Sequence, residues 1–440
     1  MAECQLPKLN TRVRFPSPAP NVNDPIRFEL IVVNCSDQVG SFSPVTLAIQ
    51  GLQAYPRLRG ENIMPSLTSR SWQAGEVGIL TFHCSDNFGA MLQAYGLKQY
   101  LRANGVNADI VRYEPPFLTG RHWRIPYIPM RSIRWPAAMV YGLLHNLRAG
   151  AQFSRRRKNM DWFRRTYLIN ERQPRILFLP GLRKLPYRRY IVGSDQIWNP
   201  GITYGLRRAY FGAFANTQKE RVIAYAASLG AAVLPDKYER EFAALLQNLD
   251  AVSLREMGAV PYVQRFFPGK VELVLDPVFF LKKEDWEQVE RAPAREKYIL
   301  VYTTEQNPQM AEYVRTLSRK AEMEVVELRA ASECGAHTDA SAGPAEFLGY
   351  IHHAAYIVTN SFHAAAFSII FEKQFLVFAH STVNERLASL LALHGLSDRL
   401  CQTGGAIDVP IDWPAVRART EEALKPSQEF LLKNTAGGLK

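Results

Sequence analysis

No apolar run in this chain of 440 residues approaches the roughly 20 needed to cross a bilayer as a helix. Met1-Ala2-Glu3 opens no basic-then-apolar leader. The expectation is a cytoplasmic protein, soluble or peripheral on the inner face of the cell membrane. Cysteine is scarce: Cys4, Cys35, Cys84, Cys334 and Cys401 are scattered and odd in number, which excludes a disulfide framework and fits free thiols in a reducing compartment. No internal repeat of about 20 to 50 residues is present, so solenoids and propellers are excluded. Metal-ligand spacing is missing too. His83 and Cys84 are neighbours and point apart in a strand, and His352-His353 lie on a helical pattern with no Cys or carboxylate at ligand spacing, so both pairs read as structural and no metal is expected.

Acidic residues are nearly missing from one segment. Residues 119–190 hold 17 Lys and Arg against 2 Asp and Glu, a net +15, whereas the rest of the chain has 36 basic and 39 acidic residues, a net −3. The whole excess of the +12 chain therefore lies in one insertion. Its Arg155-Arg156-Arg157-Lys158 cluster and further basic pairs alternate with Trp123, Trp135, Phe153, Trp162, Phe163, Tyr167 and Phe178. That mixture suits an anionic lipid surface, a nucleic acid, or a solvated face. With 47% hydrophobic and 21% charged residues the chain is globular, and its length exceeds that of one hydrophobic core.

Within that frame the informative feature is a series of apolar runs that each end in polar residues. Tyr356–Val358 leads into Thr359-Asn360-Ser361, and His363 falls in the first turn of the helix that follows. Val77–Phe82 leads into His83–Gly89, with Asn87 and Gly89 at a helix start; Tyr190–Val192 leads into Gly193-Ser194-Asp195-Gln196-Ile197-Trp198. Further runs end at Ser228, at Ser253-Leu254-Arg255-Glu256, and at Asp276-Pro277. In open α/β sheets ligands sit beyond the carboxyl ends of the strands, where helix N–H groups attract anions. Each cluster alone is an ordinary cap; six together point to one cleft.

The blocks NFGAMLQAYGL, VGSDQIWNP, SLREMGA, LDPVFFL, GPAEFLGYIHHAAYIVTNSFHAAAFSIIF and NERLASLLALHGLSDR, in this order, resemble the polysaccharide pyruvyl transferase family over about Val77 to Arg399. Two positions depart from the family pattern: Ala364 stands where Gly usually follows the His, and Gly96 stands inside a helix where Ala is usual, at a cost of about 1 kcal/mol. The resemblance implies transfer of a pyruvyl group from phosphoenolpyruvate to a sugar as a cyclic ketal, on a bacterial surface polysaccharide or its lipid-linked precursor. Phosphoenolpyruvate is then a substrate, and no cofactor is expected. On that reading His363 is the acid and Arg255 the anion clamp, oriented by Glu256. Asn360 and Ser361 supply donors to phosphate, while Asp195 and Trp198 hold and stack the acceptor, with Asn87, Gly89, Ser194, Ser228 and Ser253 lining the cleft. Lipid-linked acceptors favour the membrane reading of residues 119–190 over nucleic acid.

The expected organisation is an unassigned extension over 1–74 for which disorder stays open, an N-terminal α/β domain over 75–290 carrying the basic insertion, and a C-terminal α/β donor domain over 291–440. Two Rossmann-like halves facing a central cleft make a GT-B-like architecture. Two alternatives stay open: a glycosyltransferase using a nucleotide-sugar at the Gly343-Pro344-Ala345-Glu346 loop, and a catalytically silent glycan-assembly protein, which has no need of an acid at His363.

Overall fold

Short aliphatic runs bounded by polar turns form two wholly parallel sheets in the computed structural model, which describes residues 73–119, 150–216, 218–329, 332, 334–379 and 384–435. The expected extension, apart from residues 73 and 74, lies outside these, as do Trp123 and Trp135. The first sheet contains β1 (Val77–Leu80), β2 (Ala108–Ile110), β3 (Arg189–Asp195), β4 (Arg221–Ala227), β5 (Ala251–Leu254) and β6 (Val271–Leu273), in spatial order β2-β1-β3-β4-β5-β6. Helix α1 (Phe88–Ala103) follows β1, and the Asn87 side chain caps it by accepting from the Ala90 N–H. The basic cluster lies on α2 (Gly150–Phe163), and α3 (Glu239–Leu246) precedes β5. Gly96 is more than a weak helix residue. A Cβ there would lie 2.6 Å from the Pro277 carbonyl oxygen, so glycine permits α1 to press on the turn after β6.

The second sheet contains β7 (Ile299–Tyr302), β8 (Val325–Glu327), β9 (His337–Thr338), β10 (Tyr356–Thr359), β11 (Gln374–Phe378) and β12 (Leu400–Cys401), in order β12-β11-β10-β7-β8-β9. This is the doubly wound Rossmann order, with its switch point between β7 and β10. Its helices are α4 (Pro308–Ala321), α5 (Pro344–His353), α6 (Phe362–Ile370) and α7 (Glu385–His394). The expected two-half GT-B-like fold is what the chain adopts.

The simple division at residue 290 does not hold for the last helix, α8 (Trp413–Thr435). Although its start follows the second sheet, the Ser427 hydroxyl accepts from the Leu275 N–H, Phe430 packs against Tyr225, and the Thr435 carbonyl accepts from Arg189. The chain thus returns to the first lobe, with Phe430 and Leu431 buried. The lobes share an apolar seam: the Phe88 ring lies 5.0 Å from Phe347 and 5.6 Å from Tyr302. Polar contacts reinforce it, with Gly258 N–H donating to Glu385 and Met257 N–H to Ser389. No helix among the described residues is long and apolar enough to cross a membrane.

The basic segment is used internally more than its composition suggests. Phe163 is core, Tyr167 packs on Tyr95, and the Arg291 guanidinium covers the Trp162 ring at 3.6 Å. These rings were expected at a headgroup surface, but tertiary packing consumes them. Arg156 lies over Phe88 at 4.4 Å, while Arg155, Arg157 and Lys158 are exposed.

Candidate active site

The switch points of the two sheets face each other. On the first lobe, Thr81 beyond β1 donates to the Ser194 carbonyl at the end of β3, and Gln93 of α1 donates to the Thr81 hydroxyl at 2.7 Å. On the second, Asn360 bridges the crevice, accepting from the Thr304 N–H at 2.8 Å and donating to the Glu305 carbonyl. The polar end of β10 is thereby held rigid. Helix α6 then starts at Ser361 with no side-chain cap, and places His363 in its first turn.

Gly89 and His363 meet across the seam. A Cβ on Gly89 would lie 2.0 Å from the imidazole Nδ1, so only glycine lets the start of α1 carry this ring against its backbone. The other ring nitrogen, Nε2, lies 3.8 Å from Asp276. Asp276 also accepts from the Ser194 hydroxyl at 3.2 Å and from Arg255 at 2.5 Å. The second terminal nitrogen of Arg255 reaches Asp195 at 3.1 Å, and its guanidinium lies 4.6 Å above the Phe362 ring.

Burial and charge divide the protonation states here. Burial lowers the His363 pKa below its ordinary value, although Asp276 and Asp195 oppose that shift. The imidazole is therefore mainly neutral near pH 7 in the ligand-free protein. Burial would raise the Asp195 carboxyl, but Arg255 and His363 outweigh it and hold it below the carboxylate range. Glu256 moves the other way, raised by burial despite Arg255 and a hydrogen bond from Ser228.

Of the expected site residues, the structure gathers Gly89, Ser194, Asp195, Arg255 and His363 at one centre, with Ser361 at the adjoining helix start and Ser228 and Glu256 beside it. Four do something else. Trp198 is fully buried, stacked on Phe211 at 5.1 Å with its indole N–H donating to the Tyr210 carbonyl, so no sugar reaches its face. Ser253 closes the irregular β4–β5 ladder, donating to Ala224 and accepting from Ala226. Asn87 caps α1, and Asn360 is spent on the β7–β10 crevice. Glu256 does not orient Arg255; it binds Ser228 and the Gly230 N–H, and the two aspartates orient the guanidinium instead.

Asp276 and Arg386 belong to this centre, though neither stood among the expected site residues. Asp276 ends an apolar run in LDP, and Arg386 sits in the NERLASLL block. What identifies them is spatial, since Arg386 comes from α7 on the opposite lobe. Its guanidinium lies 6.0 Å from the Phe362 ring, and with the Gln196 amide turned so that its oxygen faces Arg386 it donates to that oxygen at 3.1 and 3.3 Å. No carboxylate among the described residues lies within ion-pair distance of it. Burial and the neighbouring Arg255 lower its pKa to about 10.

Two doubly wound sheets facing across a buried cluster of acids, guanidinia and an imidazole define a GT-B-like α/β protein. The chain belongs to the polysaccharide pyruvyl transferase family, whose model matches residues 87–382. No curated protein matches it. Similar solved structures include the UDP-GlcNAc 2-epimerase of Neisseria meningitidis, at 11% identity over 81% of this chain and 99% of that one with a TM-score of 0.43. Another is the glycosyltransferase SnogD of Streptomyces nogalater, at 11% identity over 81% and 96% with a TM-score of 0.40. At such scores neither bears on function.

The lowered pKa predicts that the His363 imidazole, assigned in a histidine NMR titration by its loss in a His363→Gln variant, titrates below pH 6.5 in the free protein. A free-protein midpoint at or above 6.5 contradicts it.

Proposed function

We propose that this protein transfers the pyruvyl group of phosphoenolpyruvate to two hydroxyls of a bacterial surface saccharide or its lipid-linked precursor, forming a ketal. The observation that carries this reading is a set of orphaned polar atoms gathered at the seam. His363 Nε2, Arg255 Nε, Arg386 Nε and Glu256 Oε2 are all buried without a hydrogen-bond partner among the described residues. Native proteins satisfy nearly all buried polar groups, so such a concentration marks a place built for a ligand. Three of the four atoms are nitrogens of potential cations, which fits a donor with three negative charges.

The chemistry follows from the placement. A donor anion beside Arg386 and the uncapped start of α6 raises the His363 pKa, so that binding itself generates the imidazolium. Nε2–H then protonates the methylene carbon of the donor. The electron pair of the C=C bond forms the new C–H bond, leaving an oxocarbenium-like carbon. A sugar hydroxyl adds there, phosphate departs with the C–O bonding electrons, and the second hydroxyl closes the ring. Two hydroxyl protons are released, one restoring His363 and one leaving with phosphate. Asp276, 3.8 Å from Nε2, stabilises the imidazolium through the cycle.

Arg255 and Arg386 divide the work. Two carboxylates already hold the terminal nitrogens of Arg255, whereas Arg386 has only a neutral amide partner. Arg386 is thus the guanidinium available to the donor, and Arg255 positions the aspartates. The nucleotide-sugar alternative has less support. The Gly343 N–H of its candidate loop is taken by Glu346, and a Cβ at Gly343 would lie 2.7 Å from the Asn159 Cβ.

Calorimetry with phosphoenolpyruvate tests this division. Arg386→Gln is expected to weaken donor binding at least tenfold while the protein remains folded. Arg255→Lys is expected to lower thermal stability, because breaking a buried ion pair costs about 3–5 kcal/mol. Equal donor affinity in wild type and Arg386→Gln would remove Arg386 from the site. Binding of a UDP-sugar but not of phosphoenolpyruvate by the wild type would instead favour the glycosyltransferase reading.

The exposed side chains of Arg155, Arg157 and Lys158 provide the proposed contact with an anionic membrane surface, near which each cation contributes about 1 kcal/mol. Replacing all three by Gln is expected to weaken binding to phosphatidylserine vesicles at low salt and to spare turnover on a short soluble acceptor. Unchanged vesicle binding would locate the membrane contact elsewhere or nowhere.

A further inference from the structure

A second cluster of chemistry-bearing side chains lies at the amino ends of the strands of the second sheet, where α5 ends and β10 begins. His352 and His353 occupy the last turn of α5, and their neighbours in sequence carry no carboxylate. The fold supplies one from 62 residues upstream. Glu290, on the connector between the two sheets, places one carboxylate oxygen 3.0 Å from His352 Nδ1 and the other 3.1 Å from His353 Nε2. Glu287 adds an oxygen 3.5 Å from His352 Nε2.

We propose that Glu290, His352 and His353 form a site for a divalent cation of the zinc class, clamping the inter-lobe connector to α5. One ligand atom from each of the three residues lies within 4.8 Å of the others. A tetrahedral ion with bonds of about 2.0–2.1 Å sets its ligand atoms about 3.3 Å apart, close to the 3.0 and 3.1 Å between each imidazole nitrogen and its own Glu290 oxygen. The donors are held in place from both sides. The His352 ring stacks on Phe371 at 4.7 Å and 14°, the Arg291 N–H donates to the Ala345 carbonyl, and the connector passes so close to Gly349 that a Cβ there would lie 2.0 Å from the Arg291 carbonyl oxygen. Two imidazoles with a carboxylate select zinc, cobalt or nickel over magnesium or calcium.

The site lies at the amino end of β10, whereas the acid–base centre lies beyond its carboxyl end. The role that follows is structural: the ion ties Glu290 of the connector to the second lobe, and no step of pyruvyl transfer passes through it.

The test uses the full-length chain, stripped with a chelator and dialysed. Zinc titration calorimetry and cobalt absorption spectra are recorded for the wild type, for the His352→Ala, His353→Ala double variant, and for Glu290→Gln, whose fold is checked by circular dichroism. The expected result is one equivalent bound by the wild type, affinity at least tenfold lower in both variants, and a cobalt spectrum of nitrogen and oxygen ligands without a thiolate charge-transfer band. Absence of zinc binding by the wild type, equal binding by the variants, or a thiolate band would each overturn the proposal. The first of these would leave the cluster a set of His–Glu ion pairs only.

Discussion

The centre depends on one guanidinium buried between two carboxylates. Arg255 rises from the end of β5, Asp195 from the end of β3 and Asp276 from the turn after β6, so their ion pairs fix three strand ends of the first lobe in a single register. Buried charges are tolerated only when paired and hydrogen-bonded, and here each carboxylate has further partners in Ser194 and the Gln196 N–H. From that platform Asp276 reaches the imidazole of the opposite lobe, and Phe362 of α6 lies under the guanidinium. Apolar contact at Phe88, Phe347 and Tyr302 then keeps water from the pairs.

Enclosure of this kind has a chemical consequence. A histidine buried beside two arginines is a poor imidazolium until an anion arrives, and an anion arriving beside it makes it one. In the proposed reaction, donor binding and acid generation would be coupled by the same electrostatics.

Much of the fold was legible because parallel strands buried on both faces read as plain aliphatic runs, and because each strand end carried a polar residue. Gly89, Ser194, Asp195, Arg255 and His363 were found that way. The signal failed where a residue's meaning depends on a partner distant in sequence. Trp198 beside Asp195 looks like a sugar platform, yet Phe211 and Tyr210 draw it into the core. Ser253 and Asn360 are polar for the sake of neighbouring strands. Arg386 and Glu290 are ordinary charges on helical or connecting segments until the fold brings Gln196 of the first lobe to one and His352 of the second to the other. The crossing of α8 back to the first sheet left no local pattern at all, because its buried Phe430 and Leu431 would suit either lobe equally.

The central claim is that the seam protonates phosphoenolpyruvate through His363 and delivers its pyruvyl group to a saccharide. The most direct measurement is mass spectrometry of a glycan acceptor incubated with purified protein and phosphoenolpyruvate. The account predicts a mass gain of one pyruvyl ketal with the wild type and a rate lower by about 10²–10⁴-fold with a folded His363→Ala variant. A wild-type gain that His363→Ala leaves untouched, or a gain of a whole sugar that requires a nucleotide-sugar instead, would contradict it.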